Sequence, residues 1–201
     1  MLKSECSLCN IVKGNPKGSI LNKIIYEWGN FFLIPSIGPI DLGHFLIVSK
    51  THDCGLATMP KDQITDLFKF IEFLISKDKL SDILFFEHGS YDDQDAGSCI
   101  SHTHIHVIPN YSKYYSVLDN GSLEIVYKNF TIEQFCKIDF PYIMSYNTKQ
   151  ESRIYRAYNA HSQMMRKAIC TKKGSGNGDW KANKNIDVIK SGINFWNNML
   201  H

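Results

Sequence analysis

Long apolar runs, a strong excess of one charge and internal repeats are all missing from this sequence of 201 residues. No run of roughly 18 apolar residues occurs, and residues 1–20 have no apolar core of the kind found in signal peptides. The 22 basic and 20 acidic residues leave a formal net charge of +2, too small to favour nucleic acid or a membrane surface as partner. We therefore expect a cytoplasmic protein of one domain, or of one domain with an elaborated tail, that binds neither nucleic acid nor membrane.

Cysteine is present in six copies, but the sequence gives little support for disulfides because it carries no export signal. Only Cys6 and Cys9 form a C-x-x-C pattern. That pattern alone leaves three interpretations open: a redox pair, half of a zinc site or a chance spacing. The other four are expected to be reduced, small core residues: Cys54, Cys99, Cys136 and Cys170.

Hydrophobic patterning divides the chain near residue 111 into a regular part and a less regular part. In the first part it predicts a helix at 61–77 and strands at 20–28, 31–35, 45–50, 82–88 and within 101–109. In the second part it predicts a short helix at 131–135, strands on both sides of a turn at 147–152, and helices at 160–172 and 184–200.

The segment "SHTHIHVIPNY" at 101–111 contains three of the 8 histidines at alternate positions, His102, His104 and His106. Side chains alternate between the two faces of a strand, so these three imidazoles share one face and the largely apolar residues between them share the other. A purely structural role is a poor explanation. Three adjacent imidazoles repel one another when protonated and need hydrogen-bond partners when buried.

Two functional interpretations of the three histidines remain open at this point. One is a metal site, because histidine is the commonest metal ligand. The other is chemistry at phosphorus, because an imidazole nitrogen can attack phosphorus and form a phosphoramidate intermediate. The preceding segment "DAGSCISH" supports the second. Main-chain N–H groups at Gly97, Ser98 and Cys99, together with the Ser98 hydroxyl, can hold phosphate oxygens.

Four separated motifs across residues 6–111 resemble those of the histidine triad (HIT) superfamily, in the same order. "HTHIHVI" matches the H-φ-H-φ-H-φ-φ signature except for Thr103, and "CSLCNIVKGN" resembles the C-x-x-C-x-I-x-x-G start of the family. "FFLIPSIGPIDLGHFLIVSKTH" resembles the stretch from its strand and loop through the "GH" element to a "P-K-x-H" histidine. "FEHG" and "IPSIGP" are similar to a less characterised branch of HIT proteins with a C-terminal extension.

The resemblance implies roles for individual residues. His104 is the nucleophile, His106 holds the phosphate, and His102 supports them or binds zinc. His44 of the "GH" element joins the same imidazole cluster. In zinc-containing members the C-x-x-C pair is completed by two histidines, so the implied structural zinc ligands in this chain are Cys6, Cys9, His52 and His102.

The sequence also departs from the family pattern. Ser36 stands where many nucleotide-binding members have an Asp for the ribose, and His88 stands where an amide is common. These changes leave the phosphate chemistry in place but alter substrate recognition, with His88 a strand-end residue or a substrate contact. In the extension, "SQMMRK" and "GDWK" resemble the "S-Q-x-x-R-R" and "W-D-W-R" elements. Gln163 and Arg166, three apart on a predicted helix, are expected to reach the substrate or to form a solvated face.

Together these features predict an α+β fold: a HIT domain at 1–111, with an antiparallel sheet of about five strands and packed helices, and an α/β extension at 112–201 packed on it. The implied function is hydrolysis or nucleotidyl transfer at phosphorus of a nucleotide or nucleotide conjugate, through a nucleotidyl-His104 intermediate. The alternatives are a dinucleoside polyphosphate phosphorylase-like transferase and a nucleotide-binding module without turnover. The resemblance also implies a homodimer.

Overall fold

A computed structural model of the protein describes residues 6–14, 19–77, 80, 82–91, 100–158, 160–176, 178–182 and 184–201. Its centre is an antiparallel sheet of eight strands in the order β1-β2-β3-β5-β4-β7-β8-β6. The strands are β1 (Tyr26–Trp28), β2 (Phe31–Pro35), β3 (Phe45–Ser49), β4 (Ile83–Gly89), β5 (His104–Pro109), β6 (Ile125–Lys128), β7 (Tyr142–Asn147) and β8 (Ser152–Arg156). The helices are α1 (Ser7–Val12), α2 (Lys61–Ile75), α3 (Ile132–Phe135), α4 (Met164–Lys173) and α5 (Ile186–Leu200).

The α+β class is confirmed, and the part up to residue 111 contributes the expected five strands, β1 to β5, but the sheet as a whole has eight. The sheet continues past β4 because β7 pairs along it in antiparallel register, from Leu84 opposite Asn147 to Gly89 opposite Tyr142. The strands β8 and β6 then extend it further. Residues on both sides of position 111 therefore contribute to one sheet, and the division into domains 1–111 and 112–201 stays a prediction.

Helices cover the two faces of the sheet differently. On one face, α2 and α5 bury their apolar sides in the largest core cluster, which also contains Ile105 and Val107 of β5. Trp196 of α5 donates from Nε1 to the carbonyl of Gly43 at 2.8 Å. On the other face, α1 packs on β2 and β3, and α4 packs on β4, β7 and β8. The histidine face of β5 lies in the gap between α1 and α4.

Several predicted bounds need correction. The strand predicted at 20–28 is limited to 26–28, and 20–22 instead form a 3-10 turn in which Ser19 accepts a hydrogen bond from Leu21 N–H. The helix predicted at 160–172 begins at Met164, since Gln163 has a φ of 63°. A left-handed residue cannot continue a right-handed helix, so Gln163 and Arg166 do not share a helical face. No helix among the described ranges is long and apolar enough to cross a membrane.

Candidate functional site

The imidazoles of His44 and His106 form a hydrogen-bonded chain whose proton positions follow from its first donor. The main-chain N–H of Ile40 donates to Nδ1 of His44 at 2.9 Å, so this nitrogen carries no proton. Nε2 of neutral His44 is therefore protonated and donates to Nδ1 of His106, 2.8 Å away. By the same logic Nε2 of His106 carries a proton, which makes His106 a hydrogen-bond donor at its outer nitrogen.

His104 has the opposite arrangement. Its Nδ1 lies 2.7 Å from the main-chain carbonyl oxygen of His102, which can only accept, so Nδ1 carries the proton. Nε2 of neutral His104 is left with a free electron pair. Two residues apart on β5, the sequence thus places an electron-pair donor at His104 beside a proton donor at His106.

Burial keeps these rings neutral. It lowers the pKa of His104, and it lowers the pKa values of His44 and His106 well below the usual range for histidine. The guanidinium of Arg166 acts in the same direction on all three, because a nearby cation disfavours a second positive charge. The ring of His106 also stacks on Phe86 of β4, with centroids 4.3 Å apart. A neutral ring is what nucleophilic attack requires.

A cavity of about 330 Å³ opens over the histidine face of β5, and both His104 and His106 line it. That volume lies within the usual range for small-molecule sites. Apolar side chains from the α1 and β2–β3 side line one part: Leu8, Ile11, Leu21, Ile34 and Leu46. Residues of β4 and of the C-terminal part line another: Phe86, His88, Gln163, Met164, Met165, Arg166 and Trp180.

Two predicted residues of the C-terminal part reach this cavity. Buried Arg166 donates from Nε to the carbonyl of Gly178 at 3.0 Å and from Nη2 to the carbonyl of Gly38 at 2.5 Å. Gly38 also lets the segment at Trp180 lie directly on it, because a Cβ there would lie 2.5 Å from the carbonyl oxygen of Trp180. Gln163 donates to Asp179 and accepts from the Trp180 N–H, so it positions the segment that lies on Gly38.

The four predicted metal ligands also lie together, beside the start of β5, with their ligand atoms all within 4.8 Å of one another: Cys6, Cys9, His52 and His102. Sγ of Cys9 lies 3.1 Å from Nδ1 of His52 and 3.5 Å from Nδ1 of His102. Tetrahedral zinc, with Zn–S near 2.3 Å and Zn–N near 2.0 Å, places sulfur and nitrogen roughly 3.5 Å apart. Nε2 of His102 lies 2.9 Å from the carbonyl of Ser49, the outer contact typical of a zinc-bound histidine. The four side chains therefore fit a zinc ion.

His88 lies on β4 and lines the cavity, but the predicted phosphate donors Gly97, Ser98 and Cys99 lie outside the described residues. Two cavity residues, Phe86 and Trp180, were missed at the level of sequence. Phe86 is two residues before His88 on β4, so the strand pattern alone places both side chains on one face. Nothing in the sequence places Trp180 near Gly38, because the two are joined only by the tertiary fold.

Comparison with known proteins gives consistent findings. A family model of the HIT domain matches residues 17–113. An uncharacterized HIT-like protein of Methanocaldococcus jannaschii is 26% identical over 121 residues, which cover 60% of this chain and 91% of that protein. The adenosine 5′-monophosphoramidase of Candida albicans is 27% identical over 111 residues, covering 53% and 70%. The crystal structure of a hypothetical histidine triad nucleotide-binding protein from Sulfolobus tokodaii is similar with a TM-score of 0.42 and 25% identity, covering 66% and 87%.

Proposed function

We propose that the chain, whose residues 17–113 match the HIT domain, is a member of the histidine triad (HIT) superfamily and a nucleotide hydrolase or nucleotidyltransferase that carries a nucleotidyl group on His104. The observation that carries the proposal is the pairing of two nitrogens on one strand face. Nε2 of His104 offers an electron pair, and Nε2 of His106 offers a proton. A phosphate needs both, a nucleophile for phosphorus and a donor for oxygen.

The reaction proceeds in two displacements. Nε2 of His104 forms a bond to phosphorus while the bond to the leaving group breaks, and the leaving group departs with the electron pair. His106 donates its Nε2 proton in a hydrogen bond to a non-bridging oxygen, and His44 keeps His106 in the required tautomer. Water or another acceptor then attacks phosphorus, and Nε2 of His104 recovers its electron pair.

Charge and shape support a nucleotide as substrate. The buried cation of Arg166 offsets the negative charge of the phosphoryl group. Further donors from Gly97, Ser98 and Cys99 stay a prediction from the sequence, because these residues lie outside the described ranges. The apolar part of the cavity between α1 and β2 suits a planar base. Ser36 also lines the cavity and offers a hydroxyl to the sugar in place of a carboxylate. Gln163 acts indirectly, by holding the segment at Trp180.

Zinc is part of the proposal as a structural ion held by Cys6, Cys9, His52 and His102. When bound, it links the N-terminus to the residue whose carbonyl orients the nucleophile. His102 accepts from His104 through its main chain and offers Nδ1 to the metal through its side chain. Its contribution is to hold the geometry of His104.

A two-fold homodimer and a cytoplasmic location stay predictions. Since β7 pairs with β4, a sheet continuous across such a dimer has to join the copies through β1 or β6, the two edge strands. Light scattering distinguishes the states. A mass near 23.1 kDa at working concentration counts against the dimer, and twice that value supports it.

The test of the proposed function is a trapping experiment on the purified protein. It is offered nucleoside phosphoramidates, dinucleoside polyphosphates and nucleotide sugars labelled at the phosphorus next to the nucleoside, and the reaction is quenched. An acid-labile, base-stable label that is lost in His104→Ala supports the mechanism. Added inorganic phosphate that accelerates turnover and enters the product identifies a phosphorylase-like transferase. Tight binding without label or turnover identifies a binding module and overturns the proposal.

A further inference from the structure

His88 differs from the neighbouring histidines because its ring makes no hydrogen bond to any part of the protein that the structure describes. Both ring nitrogens are buried and neither has a partner. Each of His44, His104 and His106 has at least one. A buried polar group without a hydrogen-bond partner is costly and therefore rare in a folded protein, so it calls for an explanation such as a catalytic role or a ligand that satisfies it.

The position of His88 places this ring beside the nucleophile. In the pairing of β4 with β5, Phe86 is opposite His106. Because the strands are antiparallel, moving two residues forward on β4 to His88 corresponds to moving two residues back on β5 to His104. Both residues therefore lie on the same face as Phe86 and His106. His88 and His104 both line the cavity, so a phosphorus atom held over β5 has His88 on its β4 side. The opposite, β2 side is the apolar part suited to a base.

The remaining contacts of β4 show that His88 has no structural task comparable to that of its neighbours. Phe86 stacks on His106. Glu87, which points to the opposite face, accepts from the Leu56 N–H and the Tyr142 hydroxyl. Of the two β4 side chains that line the cavity, Phe86 and His88, only the His88 ring has polar atoms, and they have no hydrogen-bond partner among the described residues.

We infer that His88 is the proton donor for the leaving group. This assignment rests on the proposed function and adds a second reacting histidine to it. In the free protein, burial and the neighbouring His104 lower the pKa of His88 to about 4, so the ring is neutral. A bound phosphoryl anion favours the imidazolium, and substrate binding brings in one proton from solvent.

The proton balance then closes over the two displacements. As the bond from phosphorus to the leaving group breaks, protonated His88 gives its proton to the departing atom and becomes neutral. In the second step, neutral His88 takes a proton from the attacking water while the bond between phosphorus and His104 breaks. The same residue thus acts first as acid and then as base, as microscopic reversibility requires.

This role selects a class of substrate. A proton donor matters for a basic leaving atom, such as an amine or an alkoxide, which departs poorly as an anion. It matters little for a weakly basic one such as a polyphosphate or a nitrophenolate. The inference therefore favours nucleoside phosphoramidates and alkyl phosphoesters over phosphoanhydrides as substrates of the proposed reaction.

The experiment compares two probes that differ in the leaving group alone, adenosine 5′-phosphoramidate and adenosine 5′-(p-nitrophenyl) phosphate. Rates are measured in single turnover and again with substrate in excess for the wild type, His88→Ala, His88→Gln and His104→Ala. His201→Ala is the matched control, because His201 is exposed, its ring pairs with that of Tyr26, and it does not line the cavity. Thermal melting, zinc content and binding of adenosine monophosphate check that each variant is folded.

His88→Ala is expected to slow phosphoramidate cleavage by about 100-fold or more, within the usual range for a general acid. Nitrophenolate release from the ester is expected to stay within about threefold of wild type. With substrate in excess, nitrophenolate should be released in a burst of about one per chain, followed by slow turnover. The second step is slow in this variant because the attacking water has lost His88 as its base. His88→Gln, which can hydrogen bond but cannot transfer a proton, is expected to behave like His88→Ala in rate.

Two results overturn the assignment while leaving the proposed function intact. One is an equal slowing of both probes in His88→Ala, which indicates a binding role. The other is wild-type cleavage of the phosphoramidate by His88→Ala or His88→Gln. Failure of the proposed function looks different, since wild type and His104→Ala then have the same rates on both probes, and the assignment of His88 falls with it.

Discussion

The side chains around His102 are two thiols and one imidazole. Their ligand atoms and that of His102 all lie within 4.8 Å of one another. Around His104 and His106, two residues further along the chain, the neighbours are His44, the buried guanidinium of Arg166 and an open cavity. His104 and His106 share one face of β5 and His102 lies just before this strand, yet the three histidines belong to two different kinds of site. The environment, more than the residue type, decides what each ring does.

The two sites differ in the sign of the charge that completes them. The sulfur atoms of Cys6 and Cys9 suit a metal cation, and the outer nitrogen of His102 is fixed by the carbonyl of Ser49. At the other site Arg166 adds positive charge to neutral rings, so an anion is favoured. The main-chain carbonyl of His102, which accepts from His104, couples the two. Four substitutions, whose expected effects on turnover decrease from the first to the last, test this division.

The largest effect is expected for His104→Ala. Turnover should fall by at least about three orders of magnitude because the covalent route is lost, while His106 and Arg166 still bind phosphate. Calorimetric titration with a nucleoside monophosphate and an activity assay on the same preparation separate binding from chemistry. Retained activity in His104→Ala would show that His104 is not the nucleophile. The distinction between a metal site at His102 and a catalytic site at His104 would then be wrong.

Arg166→Met should lower kcat/KM by about 10- to 100-fold, the value of a hydrogen bond to a charged group. The pKa values of His104 and His106 should rise towards the ordinary value once the cation is gone. Because the attacking ring must be neutral, the acid limb of the pH–rate profile should move to higher pH. Lys173→Met is the control, since Lys173 is on the same helix but forms a surface ion pair with Asp41. An unmoved acid limb would show that Arg166 does not set the charge of the anion site.

Cys9→Ser should lower zinc content from about one per chain to near none and destabilise the fold by roughly 3 kcal/mol at a hundredfold excess of zinc over its Kd. Turnover should fall less than for Arg166→Met, on the order of tenfold, because only the carbonyl that orients His104 is loosened. Metal analysis and thermal melting measure the first two effects. Cys136→Ser, at a partly buried thiol away from the cluster, is the control. If wild-type protein produced with zinc available contains no zinc by metal analysis, the proposed metal site is wrong.

The smallest effect on turnover is expected for Glu87→Gln, because Glu87 is on the opposite face of β4 from His88. Burial raises the pKa of Glu87 from 4.5 to about 7. Between these values the folded state holds a proton that the unfolded state has lost, so this carboxyl reduces stability as pH rises through that window. Denaturant unfolding at pH 5 and pH 8 should show a smaller loss of stability in Glu87→Gln than in wild type. An equal loss in both would contradict the assignment of this carboxyl.

The sequence was sufficient wherever a local pattern decides the structure. Alternation placed His104 and His106 on one face, and the apolar residues of 61–77 predicted α2 to within two residues. The pairing of β7 with β4 could not be predicted in this way. It joins segments far apart in the chain, and the apolar runs of both strands are compatible with several neighbours.

Within the candidate site, residue types were predictable and their connections were not. The proton positions of His44 and His106 depend on the main-chain N–H of Ile40, which only the loop conformation brings to the ring. The placement of Arg166 depends on Gln163, which has a left-handed conformation with a φ of 63°. A positive φ can be anticipated from a sequence chiefly at glycine and asparagine, so a glutamine gives no such signal. The unpartnered state of His88 is a property of its surroundings and has no sequence signature.

The contact of α5 with the first strands has a consequence for how the protein is made. Trp196 and Ile193 complete the core on β2 and β3, and Gly192 allows close approach to Phe45. A ribosome that adds roughly 5–20 residues per second needs on the order of ten seconds to go from β3 to α5. During that interval the nascent chain exposes the apolar surface that α5 later covers, which makes it a client for chaperones. A nonsense codon just before residue 186 would spare every histidine of the cavity, yet it is expected to send the product to degradation.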